Sequence, residues 1–217
     1  MAEERTSRIA SSEVLPLFPT FVWKCQLQPE VYKPINKTIL TELDALRQSL
    51  PELKPGQAWQ SKHSLHRLPE FDVLVSCIKD STRSVLEFLK IGYDAFEITA
   101  CWANINAKDT PHKMHHHPNN FLSGVYYVQT QEGADTINFH DPRQQTGIIR
   151  PPVTQLTAMN TDQAVVRVSD GTLIAFPAWL PHSVDPNISA RERISISFNI
   201  MFSSFTKGMT KPLWGNE

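Results

Sequence analysis

The sequence predicts a single α+β domain in which helices from the first half of the chain pack against a jelly roll formed by the second half. In the first half, apolar residues recur every three or four positions, as they do in amphipathic helices. In the second half, short β-rich runs alternate with turn residues. The length of 217 residues allows one well-buried domain and is short for two.

The first half is predicted to contain an extended segment followed by two helices. Leu15–Leu27 combines prolines with aromatic and branched residues, a composition typical of an edge strand. Apolar residues at helical spacing predict one helix over Val31–Leu50, ended by Pro51, and a second over Phe71–Leu89. Gly92 is the expected C-cap of the second helix.

From residue 95 onward the sequence predicts many short strands. The β-rich runs are FEITACWANI, FLSGVYYVQ, DTINFH, AVVRV, TLIAFP and RISISFNIMF. Many strands at this spacing are typical of a sandwich or barrel. We therefore predict a helical support region over residues 1–93, a jelly-roll core over 94–205 and a C-terminal tail over 206–217.

Composition disfavours several classes of partner and location. A formal net charge of −1 implies no basic face, so nucleic acid is not an expected partner. The sequence shows no apolar signal segment and no apolar run long enough to cross a membrane. Three cysteines without a CxxC pair fit reduced thiols, so we expect a cytoplasmic protein. Jelly-roll domains often pair through an edge strand or a terminal segment, which leaves a homodimer open.

A histidine run stands just before one of the β-rich segments. In an extended chain, side chains two residues apart point to the same face, so His115 and His117 can reach one ion while His116 points away. His182, just after the run TLIAFP, is the candidate third ligand. Imidazole suits iron, copper, nickel and zinc, so ligand type alone leaves the metal open. The alternative interpretation is a solvated loop and a hydrogen-bonded structural His182.

The last β-rich run has two chemically different faces. Its even-numbered positions from 194 to 200 are apolar, whereas the odd-numbered positions are Arg193, Ser195, Ser197 and Asn199. A guanidinium buried inside a barrel needs an anion, and Arg193 with the hydroxyl of Ser195 could clamp a carboxylate. The alternative is an exposed strand face on which Arg193 pairs with Asp or Glu.

These segments together resemble the 2-oxoglutarate/iron(II)-dependent oxygenase superfamily. The resemblance rests on HHHPNNFLSGVYYV, EGADTINFHDPR, GTLIAFPAWLPHSVDPN and RERISISFN, in this order, between Trp102 and Phe202. It is closer to a subfamily of oxygenases with an H-x-H-P segment followed by S-G-V-Y-Y. The resemblance implies a cupin-like double-stranded β-helix, iron(II) as cofactor and 2-oxoglutarate as co-substrate.

The resemblance also implies a ligand set with one departure from the usual pattern. By position, His115 resembles the first metal ligand and His182 the distal one, but His117 stands where an acid is usual. His117 itself, water or an anion, or a carboxylate such as Asp109 or Asp141 could fill that place. We favour His117, because its spacing from His115 is correct and a neutral imidazole is a good iron ligand.

Further residues resemble the family's co-substrate site. Arg193 with Ser195 resembles the clamp for the distal carboxylate of 2-oxoglutarate, and Tyr127 resembles a tyrosine that donates to the same carboxylate. Tyr126 alternates with Tyr127 and should face the other way. Asn104 is expected at the C1 end of the co-substrate or at the metal-bound water; an amide that satisfies strand ends is an equal alternative.

The implied function is a 2-oxoglutarate-dependent dioxygenase that hydroxylates a small-molecule substrate, with His115, His117, His182 and Arg193 as catalytic residues. One alternative is a three-histidine cupin-type dioxygenase that does not use 2-oxoglutarate. Another is a non-catalytic jelly-roll binding protein. Substrate specificity is expected on loops such as 61–68 and 144–161, which carry no pattern specific to one class of substrate.

Overall fold

The computed structural model describes residues 9–143, 148–149, 151–157 and 159–208. The helices are α1 (Pro29–Arg47), α2 (Asp72–Phe88) and α3 (Ser203–Thr206). In chain order, the strands are β1 (Trp23–Gln26), β2 (Ala58–Gln60), β3 (Phe96–Asn106), β4 (His112–His115), β5 (Leu122–Gln129), β6 (Thr136–His140), β7 (Gln163–Arg167), β8 (Thr172–Pro177), β9 (His182–Val184) and β10 (Arg193–Phe202).

The strands form two antiparallel sheets that pack face to face. The large sheet has the order β1-β8-β5-β10-β3-β2 and the small sheet the order β4-β9-β6-β7. Apolar side chains from both sheets form a shared core, including Tyr127, Ile137, Phe139 and Phe176. This arrangement confirms the predicted jelly roll, and each of the β-rich runs of the second half contains one of its strands.

The helices cover the outer face of the large sheet. Their buried side chains, such as Ile39 of α1 and Ile78 of α2, join one hydrophobic core with Ile196 and Phe198 of β10. Apolar burial of this kind is the main favourable contribution to folding. Because the helices cover one face of the sheet, its other face is left for the cavity between the two sheets.

A buried polar contact also fixes α1 on the sheet. The hydroxyl of Tyr126 in β5 donates to Oδ1 of Asn36 at 2.6 Å, and Nδ2 of Asn36 donates to the carbonyl of Val128 at 2.7 Å. Both side chains are at least nine-tenths buried, so these bonds satisfy groups that would otherwise be costly.

Two local predictions differ from the structure. The predicted edge segment forms a strand only over Trp23–Gln26, although β1 does lie at an edge of the large sheet. The C-cap prediction at Gly92 is wrong, because Lys90 takes the left-handed conformation with φ 54°. The amide of Ile91 donates to the carbonyl of Leu86 at 3.0 Å, and the last residue of α2, Phe88, lies four residues before the glycine.

The predicted regional boundaries stay a prediction. Strands β1 and β2 come from the region predicted as helical support, and they lie at the two edges of the large sheet. Residues 209–217 of the predicted tail lie outside the described part of the chain, as does part of the loop 144–161. Among the described helices, none is both long enough and apolar enough to cross a membrane.

Close packing at Gly124 generates a stability prediction. A Cβ at this position in β5 would collide with the ring of Phe198 in β10 and the carbonyl oxygen of Ile174 in β8. We expect Gly124→Ala to lower the free energy of unfolding by about 1–3 kcal/mol, measured by urea denaturation. Gly92→Ala is the matched control, since a Cβ there meets nothing within 4 Å. Equal stability of the two variants would contradict the packing.

Candidate metal and co-substrate site

Three histidines converge at the β4–β9 end of the small sheet. His115 is the last residue of β4 and pairs with His182, the first residue of β9. His117 follows in the next loop, where its amide donates to the carbonyl of Ala178 at 2.8 Å. The potential ligand nitrogens of all three lie within 4.8 Å of one another, close enough for one ion to contact them after small side-chain rotations.

Backbone contacts prepare two of these rings for metal binding. Nδ1 of His115 lies 2.7 Å from the carbonyl of Lys113, and Nδ1 of His182 lies 3.0 Å from the carbonyl of Leu180. A carbonyl can only accept, so Nδ1 carries the proton in both rings and Nε2 keeps its lone pair. This orientation by a carbonyl is typical of metal-binding histidines, so the donor set fits a metal ion.

Burial also favours the neutral form of the rings. Desolvation, aided by the neighbouring His115, lowers the pKa of His117 to about 4. Desolvation is also the main cause that lowers the pKa of His182 to about 3. These rings are therefore neutral at pH 7, the state in which an imidazole can bind a metal.

Within the described part of the chain, no carboxylate joins the three histidines. Among the described residues, the only group of side chains placed to hold a metal consists of these histidines. Asp141 instead accepts from the guanidinium of Arg143 at 2.7 Å, which lowers the pKa of its carboxyl group. Asp109 is exposed on a turn, and His116 is also exposed and outside the group.

The histidines open onto a pocket between the sheets that also contains a buried cation. Arg193, at the start of β10, lines this pocket with only 2% of its surface exposed. Burial lowers the pKa of its guanidinium, and no described carboxylate lies within ion-pair distance of it. Asp185 acts on the guanidinium from beyond ion-pair distance and raises its pKa. A buried charge without a direct ion-pair partner is costly, so this end of the pocket is complementary to an anion.

Neutral donors surround Arg193. Ser195 lies two residues along β10, and Tyr127 pairs with Ser195 from the adjacent strand β5; both line the pocket. Burial raises the pKa of the Tyr127 phenol, which keeps it a proton donor at neutral pH. Tyr126 faces the opposite side of the sheet, as the alternation predicts, and hydrogen-bonds Asn36.

Asn104 occupies the pocket wall on β3. Its Oδ1 accepts from Nε2 of Gln60 at 2.9 Å, and its Nδ2 donates to the hydroxyl of Ser197 at 2.9 Å. The side chain lines the pocket while its amide satisfies neighbouring strands, and the expected contact with the co-substrate or the metal-bound water stays a prediction.

Sequence reasoning missed Gln60 and His112, both of which line the pocket. His112 stands three residues before His115, a spacing that puts two side chains on opposite faces of a regular strand. A register shift in β4 between these residues breaks that rule, and both histidines line the same pocket. The histidine at the start of HKMHHH was the signal available in the sequence.

Comparison with known proteins gives one family match. The model of the family described as "Putative 2OG-Fe(II) oxygenase" matches residues 100–199, a range that includes all the predicted site residues. Among curated proteins, no sequence matches the chain.

Solved structures share the fold at low sequence identity. The epimerase SnoN from nogalamycin biosynthesis, described as non-heme and alpha-ketoglutarate dependent, has a TM-score of 0.60 and 13% identity, covering 85% of this chain and 79% of SnoN. HygX from Streptomyces hygroscopicus, solved with nickel and 2-oxoglutarate, gives 0.58 and 12%, covering 85% and 83%. A Pseudomonas putida prolyl-4-hydroxylase gives 0.53 and 15%, covering 84% and 93%.

The histidine cluster generates a metal-binding prediction. Loss of a group that only supports a metal ligand weakens metal binding by about 10–100-fold. We expect a larger loss of iron(II) binding when a ligand itself is removed, in each of the variants His115→Ala, His117→Ala and His182→Ala. The measurement is iron content after anaerobic reconstitution and desalting. His116→Ala is the matched control and should keep the wild-type content. Full iron content in His117→Ala would show that the third ligand is another group.

Burial of neutral imidazoles predicts a pH dependence for the metal-free protein. The folded-state pKa values of His117 and His182 lie below the ordinary value of 6.5, so the unfolded chain binds more protons. The stability contributed by these rings is complete above pH 6.5 and is lost as pH falls toward about 4 for His117 and 3 for His182. Denaturant midpoints measured across this range should fall less steeply in His182→Leu than in the wild type. Parallel curves would contradict this assignment.

Proposed function

The chain belongs to the 2OG-Fe(II) oxygenase superfamily, and on this premise we propose that His115, His117 and His182 hold its iron(II) while Arg193 binds the far carboxylate of 2-oxoglutarate. The family membership predicted from the sequence is confirmed, and with it a 2-oxoglutarate-dependent dioxygenase that uses iron(II). The observation that carries the residue assignment is the buried Arg193, which shares one pocket with the three histidines and has no described carboxylate within ion-pair distance.

The donors around Arg193 fit a carboxylate in number and position. A guanidinium can donate two parallel hydrogen bonds to a carboxylate. The hydroxyls of Ser195 and Tyr127 add two further donors, and these two residues are directly paired across the neighbouring strands β10 and β5. The side chain of Asn104 lines the same pocket, and its amide is held by Gln60 and Ser197, which supports a fixed contact with the other end of the co-substrate.

The protein's part in the reaction is to hold and shield the reacting groups. When bound, iron(II) and 2-oxoglutarate supply an oxidant as oxygen is consumed and 2-oxoglutarate is decarboxylated to succinate. The imidazoles hold the ion without giving up protons, and Arg193 fixes the far end of the co-substrate. Trp102, Phe176 and Ile137 contribute apolar walls that exclude water from the pocket.

The proposed reaction is hydroxylation of a small-molecule substrate in the cytoplasm. Hydroxylation is the default outcome for this chemistry, and the net charge of −1 offers no basic face for nucleic acid. Cys25, Cys77 and Cys101 are free thiols, which supports a reducing compartment. A homodimer would form through an exposed edge of the large sheet, at β1 or β2.

A co-substrate assay tests the proposal. Wild-type protein supplied with iron(II), oxygen and 2-oxoglutarate should release succinate slowly even without its substrate. Arg193→Ala should weaken 2-oxoglutarate binding by at least about 30-fold, which is the smallest loss expected when one partner of a buried charge pair is removed. The variant should therefore release less succinate when 2-oxoglutarate is limiting. Its iron content should stay at the wild-type level, because Arg193 is not a metal ligand. Arg47→Ala is the control, since that arginine pairs with Glu192 outside the pocket.

The same assay separates a second candidate function. A three-histidine dioxygenase that does not use 2-oxoglutarate is favoured by the absence of a carboxylate from the described metal group. Iron bound at the histidines together with no 2-oxoglutarate binding and no succinate would favour that candidate and contradict the proposed role of Arg193.

A further inference from the structure

His112 lines the same pocket as the proposed metal ligands and the proposed carboxylate donors. It is the first residue of β4 in the small sheet, and it lines the pocket together with Arg193, Tyr127 and His115. Arg193 and His115 are both close enough to act on its charge. The donors assigned above to the far carboxylate all come from the large sheet, so His112 offers a donor from the opposite sheet.

A fully buried asparagine contacts one nitrogen of the His112 ring. Nδ2 of Asn106, at the end of β3, lies 3.0 Å from Nε2 of His112. With the amide in this orientation Nδ2 donates, so Nε2 accepts and the proton of the neutral ring is on Nδ1. Asn106 is held in turn by Asn187, whose Nδ2 donates to its carbonyl at 3.1 Å, and it pairs with Arg193 across β3 and β10.

The remaining nitrogen of the ring is therefore an unused donor. Among the described residues, no hydrogen-bond partner is found for Nδ1 of His112, and the ring lines the pocket that holds the unpaired guanidinium. The half-buried ring leaves this nitrogen able to contact a ligand in the pocket. An anion held by Arg193 would supply an acceptor for it.

We propose that His112 is a further 2-oxoglutarate-binding residue, whose Nδ1–H donates to the carboxylate held by Arg193. The inference rests on the proposed function, because it takes 2-oxoglutarate as the occupant of this pocket. The small sheet then contributes both the metal ligands and one contact to the far carboxylate, and Asn106 acts as the positioning residue for that contact.

Two substitutions separate this role from a structural one. The amide nitrogen of asparagine can take the place of the histidine Nδ1, so His112→Asn keeps the donor toward the pocket. The longer side chain of glutamine reaches the place of Nε2, so His112→Gln keeps the contact with Asn106 and loses the donor. A structural role for His112 predicts the opposite order of the two variants.

The test is anaerobic calorimetric titration of the iron(II)-loaded protein with 2-oxoglutarate and with 2-oxopentanoate, which lacks the far carboxylate. We expect His112→Gln to weaken 2-oxoglutarate binding by about 10-fold or more, as for a lost hydrogen bond to a charged group. His112→Asn should stay within about 3-fold of the wild type by the same reasoning. Binding of 2-oxopentanoate should be unchanged in both variants.

The possible outcomes are distinguishable. Retained affinity in His112→Gln with weakened affinity in His112→Asn would overturn the inference in favour of a structural contact with Asn106. Equal affinities in all three proteins would overturn it as well, while leaving the roles of Arg193 and the metal ligands intact. A wild-type protein that binds iron(II) but no 2-oxoglutarate would overturn the proposed function itself.

A measurement on the unsubstituted protein does not depend on how the variants fold. In zinc-loaded protein with ¹⁵N-labelled histidine, the proton of His112 should be on Nδ1, and its resonance should move on addition of 2-oxoglutarate but not of 2-oxopentanoate. A proton on Nε2 would overturn the inference.

Discussion

The burial of one positive charge is the constraint that organises the site. Arg193 stands at the start of β10, which lies between β3 and β5 in the large sheet. The alternation of this strand sends Ile194 and Ile196 into the core beneath the helices, while Arg193 and Ser195 face the other sheet. The same ten-residue strand therefore stabilises the fold with one face, and its other face carries a buried positive charge that an anion would neutralise. The cost of the buried guanidinium has to be offset by the apolar burial on the opposite face.

The metal ligands alter the charge balance of this pocket. A divalent ion held by three neutral imidazoles keeps a charge of +2, whereas an acidic ligand in place of His117 would reduce it to +1. Together with Arg193, the proposed three-histidine site would present +3 to a co-substrate that carries two negative charges. The low pKa values of His117 and His182 are consistent with this arrangement, since the rings already avoid protonation before an ion is bound. The presence of His117 in place of an acid should therefore affect the anion affinity of the pocket more than its other properties.

Local sequence patterns predicted the features of the molecule that depend on local geometry. The polar and apolar faces of β10 follow from the two-residue period of a strand, as does the opposite orientation of Tyr126 and Tyr127. Features set by pairing between distant segments could not be predicted in this way. Strands β4 and β9 are only four and three residues long and pair with each other in the small sheet, although they are far apart in sequence, and the register shift that redirects His112 exists only in that pairing. The contact of Gln60 with Asn104 likewise joins segments that only the folded sheet brings together.

The two sheets carry different parts of the proposed site, and this arrangement affects which co-substrate the pocket can bind. The proposed metal ligands lie on β4, on the loop after it and on β9 of the small sheet, whereas the proposed carboxylate donors Arg193, Ser195 and Tyr127 lie on β5 and β10 of the large sheet. A co-substrate that contacts the metal with one end and Arg193 with the other must span the gap between the sheets. That gap is set by the packed side chains of the shared core, such as Phe139 against Phe176, with ring centroids 5.1 Å apart. Because a packed core resists compression and expansion, we expect the spacing of the sheets to fix the distance between the proposed metal ligands and Arg193, and we expect Arg193 to favour a co-substrate with a second negative charge.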